Sequence, residues 1–298
     1  MKKILKFVLI IAAVIVIPAL LSPFLYPWLN HEKYPFERIL SRLIMICGLI
    51  AVLCLMGRDR TSFKRYGFTP KADWYQWLFA GLGLGIAVLL SIELFQTLMG
   101  AYDIGIRVKW SRIPERLGKA ILTGLLVGTI EEFFFRGFIF VSLARIMNWR
   151  WSFVLTNLFY AFLHFFHGTK ETWVTPNVWD SFHILLGWLT PFFAGWQTLL
   201  PQFFGLFLFG CILSYAFLKS GGLYLPIGIH AGAVFFLKVD VMFFGAKGDL
   251  PIWLYGGKDF YAGIIGWGFL AVFWFLLWFL LRKRPLASGF FENKQVAG

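Results

Sequence analysis

Glu131 and Glu132 stand side by side in the run Glu131-Glu132-Phe133-Phe134-Phe135-Arg136, where the surrounding residues are hydrocarbon. A charged side chain at the centre of a bilayer costs about 2.5–3.5 kcal/mol, so a chain that keeps two carboxylates there has a use for them. On a helix, Glu132 and Arg136 are four residues apart and stack on one face as an ion pair. Glu131 points about 100° away from Glu132, so one carboxylate can be neutralised while its neighbour faces a cavity. Two imidazoles, His164 and His230, lie in later apolar segments. A carboxylate withdrawn from water is a better base, and imidazoles can hold a water or stabilise an oxyanion. A Glu with two His could also bind zinc, although the spacing is not HExxH.

These groups have to be positioned by membrane-spanning helices. The 298 residues are 59% hydrophobic and 14% charged, against about 25% charged in an ordinary soluble chain. The expected fold class is all-α: a polytopic transmembrane helix bundle of about eight spans. A span needs about 20 mostly apolar residues, which places them near 4–25, 39–56, 76–99, 117–141, 150–166, 203–218, 222–237 and 259–281. The segment 181–200 is apolar but broken by Gly187, Pro191 and Gly195. The start, Met1-Lys2-Lys3 followed by an apolar run, lacks a small-x-small cleavage site and reads as an uncleaved first span. The expected division is a 1–116 N-terminal transmembrane region, a 117–240 catalytic core, and a 241–298 last span and tail.

The net charge of +13 raises nucleic acid as a partner. No nucleic-acid motif is present, and the basic residues cluster in loops between apolar runs, where membrane orientation requires them. Their distribution favours cytoplasmic N- and C-termini in a bacterial-type plasma membrane. The basic stretch 107–119 is discordant with that orientation and reads as an amphipathic surface segment. Contact with anionic headgroups accounts for the charge. Cys47, Cys54 and Cys211 all lie in apolar runs without metal-like spacing, so they read as inert thiols.

Helical spacing brings the candidates together. Glu131 precedes Asn148 by 17 residues and His164 follows it by 16. In an antiparallel hairpin turning near Asn148 the two side chains lie at nearly equal depth. His230 sits in Gly228-Ile229-His230-Ala231-Gly232, where glycines permit close approach of another backbone. Gly124 and Gly128, on the Glu131 side of their helix, read as a packing face. Glu93 is a further intramembrane acid whose partner the sequence does not name. His167 and His183 flank the loop after the fifth span, and His31 is in a loop.

Three motifs in order, EExxxR at 131–136, Tyr160-x-x-x-His164, and Pro-Ile-Gly-Ile-His230-Ala, resemble the CAAX protease and bacteriocin-processing family of intramembrane endopeptidases (the Abi-type proteins). The similar region runs over about 117–240. Tyr160 stands where the family usually has Phe, and Val234 where it usually has Asn. The resemblance implies a helical membrane enzyme cleaving membrane-embedded or lipid-anchored peptides. Glu131 would activate the water, His164 would help bind it, and His230 would stabilise the oxyanion. Glu132, Arg136 and Tyr160 would support them, and a metal, if one is used, would fall to Glu131, His164 and His230. Val234 removes one expected oxyanion donor and favours an alternative, an inactive scaffold or immunity protein on the same fold. A proton-coupled transporter is a third reading, disfavoured by the lack of two similar halves.

Overall fold

The computed structural model describes residues 2–29, 34–56, 61–69, 72–165, 175–257, 259–287 and 289. His31 and His167 lie outside them. The structure is almost wholly helical. In chain order the elements used below are α1 (Lys2–Leu25), α2 (Phe36–Met56), α3 (Trp74–Leu98), β1 (Tyr102–Ile104), α4 (Ile113–Glu132), α5 (Trp149–Leu163), α6 (Val178–Gly187), α7 (Trp196–Ser220), α8 (Tyr224–Val239), β2 (Phe244–Ala246) and α9 (Ile264–Leu281). Among the described residues, five stretches are long and apolar enough to cross a membrane: Phe36–Leu55, Trp74–Leu98, Trp196–Ser220, Tyr224–Met242 and Ile264–Leu281. The protein is an integral membrane protein.

Three expected spans fall outside that set for separate reasons. The first is helical but carries lysines at its start. The fourth continues from α4 through a π-helical segment, Phe133–Phe140, and a last turn, Val141–Ala144, and contains the Glu131–Arg136 charges. The fifth is α5, whose 15 residues reach only about 22 Å. The broken segment 181–200 resolves into α6, a short helix Thr190–Ala194 and the start of α7. The basic stretch becomes a 3-10 turn, Trp110–Arg112, and the exposed first turns of α4.

The chain divides into two compact units. The first comprises Met1–Asp59 and Leu163–Trp196, and the second Arg60–Phe162 and Gln197–Gly298. The first unit packs α1, α2 and α6 around Ala19, Tyr26, Phe36, Leu40, Ile184 and Trp188. A buried Ser22–Ser181 hydroxyl pair at 3.1 Å joins α1 to α6. Asn177 caps α6 reciprocally with Asp180, satisfying N-terminal N–H groups that have no helical partner.

The second unit is built around α8, which lies against α3 on one side and α4 on the other. Small residues set the distance. A Cβ added at Gly81 would come within 2.5 Å of the Leu225 carbonyl, and one at Gly85 would collide with the Ile229 carbonyl. From α4, a Cβ at Gly124 would meet the Ala231 carbonyl at 2.6 Å and one at Gly128 the Ala231 nitrogen at 2.9 Å. α8 answers with Gly228 and Gly232, whose missing side chains make room for the Leu78 and Leu82 carbonyls. Helices in lipid gain nothing from mutual apolarity and associate by such close packing. The turn into α8 uses Gly221 at φ +65°, a left-handed conformation that glycine adopts without strain. At the other end, β1 pairs antiparallel with β2, Tyr102 opposite Ala246, and links the exits of α3 and α8.

These contacts predict that Gly85→Ala destabilises the protein by about 1–3 kcal/mol through overpacking. Gly83→Ala, two residues away with open space around it, is expected to be neutral or slightly stabilising because Ala is the better helix former. Thermal unfolding of the detergent-solubilised variants checks both; equal melting temperatures would disprove the packing account.

Candidate active site

The site begins with a buried guanidinium. Arg136 and Glu132 are both fully buried, and Arg136 Nη1 donates to Glu132 Oε1 at 2.8 Å. An arginine withdrawn from water needs every donor answered. Here Nη2 donates to the Gly210 carbonyl at 3.0 Å and reaches Asn157 Oδ1 at 3.4 Å, while Nε faces Ser214 Oγ at 3.4 Å. Ser214 Oγ donates to Asn157 Oδ1 at 3.0 Å, and Asn157 Nδ2 to the Phe153 carbonyl at 2.8 Å. The guanidinium carbon also lies 4.6 Å from the centre of the Tyr160 ring, where a cation is attracted to the aromatic face. Gly210 is glycine for a steric reason: a Cβ there would sit 2.9 Å from Asn157 Oδ1. Thus α5 and α7 together hold Arg136, and Arg136 holds Glu132.

Glu132 in turn holds His230. Its Oε1 lies 2.7 Å from His230 Nδ1. An oxygen that already accepts from a guanidinium is an acceptor, which assigns the proton to Nδ1. Nε2 is left facing Glu131, whose Oε2 is 3.8 Å away. His230 is 3% exposed, whereas the Glu131 side chain is 24% exposed. The two adjacent carboxylates therefore live in different surroundings. Glu132 is sealed inside the ion pair, and Glu131 is at the accessible edge beside an oriented imidazole. Tyr160 and Phe209 bracket the imidazole edge-on, with ring centres at 6.2 and 5.8 Å.

The π-helical segment starts at Phe133, immediately after the carboxylates. Such segments are rare and are frequent at functional sites. Phe63 and Phe68 stack on Phe133 at 6.0 and 5.6 Å. The Tyr66 carbonyl lies where a Cβ on Gly137 would be, at 2.7 Å. The 61–69 segment thereby packs against the π-helical segment just beyond the carboxylates.

The structure brings Glu131, Glu132, Arg136, Tyr160 and His230 together. His164 is half-buried in the turn just past Leu163, within the segment belonging to the first unit. His183 is exposed on α6. Glu93 is buried on α3, within electrostatic reach of Asp240, the polar group the sequence did not name. Sequence reasoning also passed over Asn157, Ser214 and Gly210. Asn157 carried a usable signal, an amide inside the apolar run of α5, since polar side chains at membrane depth bond to something. A catalytic zinc takes three protein ligands plus a water. Among the described residues no three His, Cys, Asp or Glu side chains group to hold a metal ion, and His230 Nδ1 is engaged by Glu132. The described residues do not fit a zinc site.

A carboxylate and an oriented imidazole at the edge of a buried ion pair, among membrane-spanning helices, are the parts of an intramembrane hydrolase. Residues 114–236 match the family model of Rce1-like proteins, described as type II CAAX prenyl endopeptidase Rce1-like. This segment belongs to that family, the CAAX protease and bacteriocin-processing group to which the three motifs pointed, and carries its intramembrane endopeptidase fold. No curated protein and no solved structure matches the chain.

The buried pair makes a stability prediction. Arg136→Met strands the Glu132 carboxylate and should destabilise the protein by about 3–5 kcal/mol. Asp103→Asn breaks the Asp103–Arg107 pair, whose side chains are 49% and 40% exposed, and should change stability by less than about 1 kcal/mol. Thermal unfolding in detergent distinguishes them; comparable losses would contradict the assigned role of burial.

Proposed function

We propose that the protein is an intramembrane endopeptidase that hydrolyses peptide bonds of membrane-associated protein or peptide substrates. Glu131 is the general base, with His164 and His230 assisting. The observation that carries this reading is the pairing of a partly accessible Glu131 with His230 Nε2 at 3.8 Å, while the other imidazole nitrogen is fixed on Glu132. A gap of that size between two polar groups suits a bridging water. Glu131 takes a proton from that water, the oxygen adds to the scissile carbonyl, and the departing amine recovers the proton. His230 steadies the water or the developing oxyanion through Nε2. His164 enters through the family resemblance. It lies one turn beyond Tyr160 in the chain, and α5 already delivers Asn157 and Tyr160 to the site. Residues 117–240 form the catalytic core on this reading, with both chain termini on the cytoplasmic side of a bacterial-type plasma membrane. The substrate is a peptide presented at the bilayer, and no step is routed through a metal.

One observation favours a second reading, an inactive scaffold or immunity protein on the same fold: Val234, one turn past His230, is apolar where the family pattern has an amide. The two readings diverge on Glu131. Glu131→Gln keeps the shape of the side chain and removes the base, so membrane peptides that appear with the intact chain should vanish with this variant while the protein still accumulates. Mass spectrometry of membrane peptides from the two cell populations makes the comparison. Identical peptide profiles would refute the enzyme, and full complementation by Glu131→Ala would establish the scaffold.

A further inference from the structure

Amide hydrolysis passes through a tetrahedral oxyanion, and the donors aimed at it supply much of the rate. The donors around Glu131 and His230 can be counted off. The position one turn beyond His230 on α8 is Val234, which donates nothing. Arg136 spends its nitrogens on Glu132, Gly210, Asn157 and Ser214. Asn157 spends its amide on the Phe153 carbonyl, and His230 spends Nδ1 on Glu132. Tyr160 is the remaining hydroxyl-bearing side chain in contact with this group. It is 1% exposed, stands edge-on to His230, and lies under the Arg136 guanidinium. Among the charges acting on its hydroxyl, the Glu131 carboxylate is the strongest, which orients the phenol oxygen toward the base. A phenylalanine would serve the packing and the cation–π contact equally well, so the hydroxyl is the part those contacts do not explain.

We propose that Tyr160 Oη donates a hydrogen bond to the oxyanion formed on the scissile carbonyl, supplying the donor that position 234 lacks. The inference rests on the endopeptidase reading above. The step balances without a further reactant. Water gives one proton to Glu131 and its oxygen bonds to the carbonyl carbon, while the carbonyl π pair moves onto oxygen. Tyr160 donates a hydrogen bond but keeps its proton. Collapse of the intermediate expels the amine, which takes the proton from Glu131.

Tyr160→Phe isolates the hydroxyl. A peptide whose appearance depends on Glu131, identified by the mass spectrometry above and synthesised, is the probe for the full-length purified protein. Tyr160→Phe is expected to lower kcat by about 10²–10³, the usual loss for one oxyanion donor, with KM and melting temperature nearly unchanged. Adding Val234→Asn to Tyr160→Phe should recover at least tenfold of that loss. Tyr160→Phe turnover within threefold of the parent overturns the proposal and leaves the endopeptidase reading standing. A loss that tracks a lowered melting temperature, with no recovery from Val234→Asn, overturns it too and makes Tyr160 a packing residue. If no peptide depends on Glu131, the endopeptidase reading fails and this inference fails with it.

Discussion

One oxygen atom organises the site: Oε1 of Glu132, which lies within hydrogen-bond distance of both Arg136 Nη1 and His230 Nδ1. Removing a carboxylate and a guanidinium from water costs several kcal/mol per ion, and attraction between them repays it only when the remaining donors are answered. They are answered here from two other helices, by the Gly210 carbonyl, Asn157 and Ser214. The result is a fixed negative point inside the bundle. An imidazole set against it has a defined tautomer and ring orientation before any substrate arrives, and preorganisation of that kind is where much of enzymatic rate enhancement originates.

That geometry depends on how closely three backbones approach. His230 lies on α8, whereas both carboxylates lie on α4, and side chains of ordinary size between the helices would push the pair apart. Gly124 and Gly128 on α4, with Gly81 and Gly85 on α3, remove that obstruction on both flanks of α8. The glycine seams and the ion pair are thus one device. The seams bring α8 in, and the Glu132–His230 bond sets its register once it is there. The π-helical segment belongs to the same device. Beginning at Phe133, it departs from α-helical register just past the carboxylates and so re-aims Arg136 and Phe135 relative to a plain helix. Arg136 still meets Glu132, and its guanidinium lies over Tyr160 on α5.

Much of this was legible in the sequence. The apolar runs gave the helices, because nothing else can bury backbone in lipid, and the four-residue spacing of Glu132 and Arg136 gave their ion pair. The Asn148 turn was legible too: the last turn of the preceding helix ends at Ala144 and α5 begins at Trp149. Gly124 and Gly128 read correctly as a packing face, although their partner, α8, could not be named. That partner is about a hundred residues away in the chain, and local periodicity carries no information about which helix a face meets. The same limit hid the Glu132–His230 bond, since two polar residues in apolar runs declare a need for partners without choosing them. The π-helical segment left no mark, because Phe133–Phe140 has the composition of any lipid-embedded helix. The length of α5 was misjudged for a related reason. Apolarity continues through Phe165, but the helix stops at Leu163.

That early stop bears on how a hydrolase obtains water inside a membrane. The 15 residues of α5 rise about 22 Å, against about 30 Å of hydrocarbon. A helix entering beside Arg150 therefore ends before the far interface, and its last carbonyls have no following turn to satisfy them. Irregular backbone at that depth is tolerated only where it is buried in protein or lines a water-filled cavity. Peptide hydrolysis requires water near Glu131, and Glu131 is the acid of the pair that keeps some accessibility. A short α5 meets both demands, because the place where the helix gives out is a place where polar groups and water are allowed. On this argument the truncated span and the accessible carboxylate have one cause: an enzyme that hydrolyses within lipid must interrupt its own hydrophobic wall near the base.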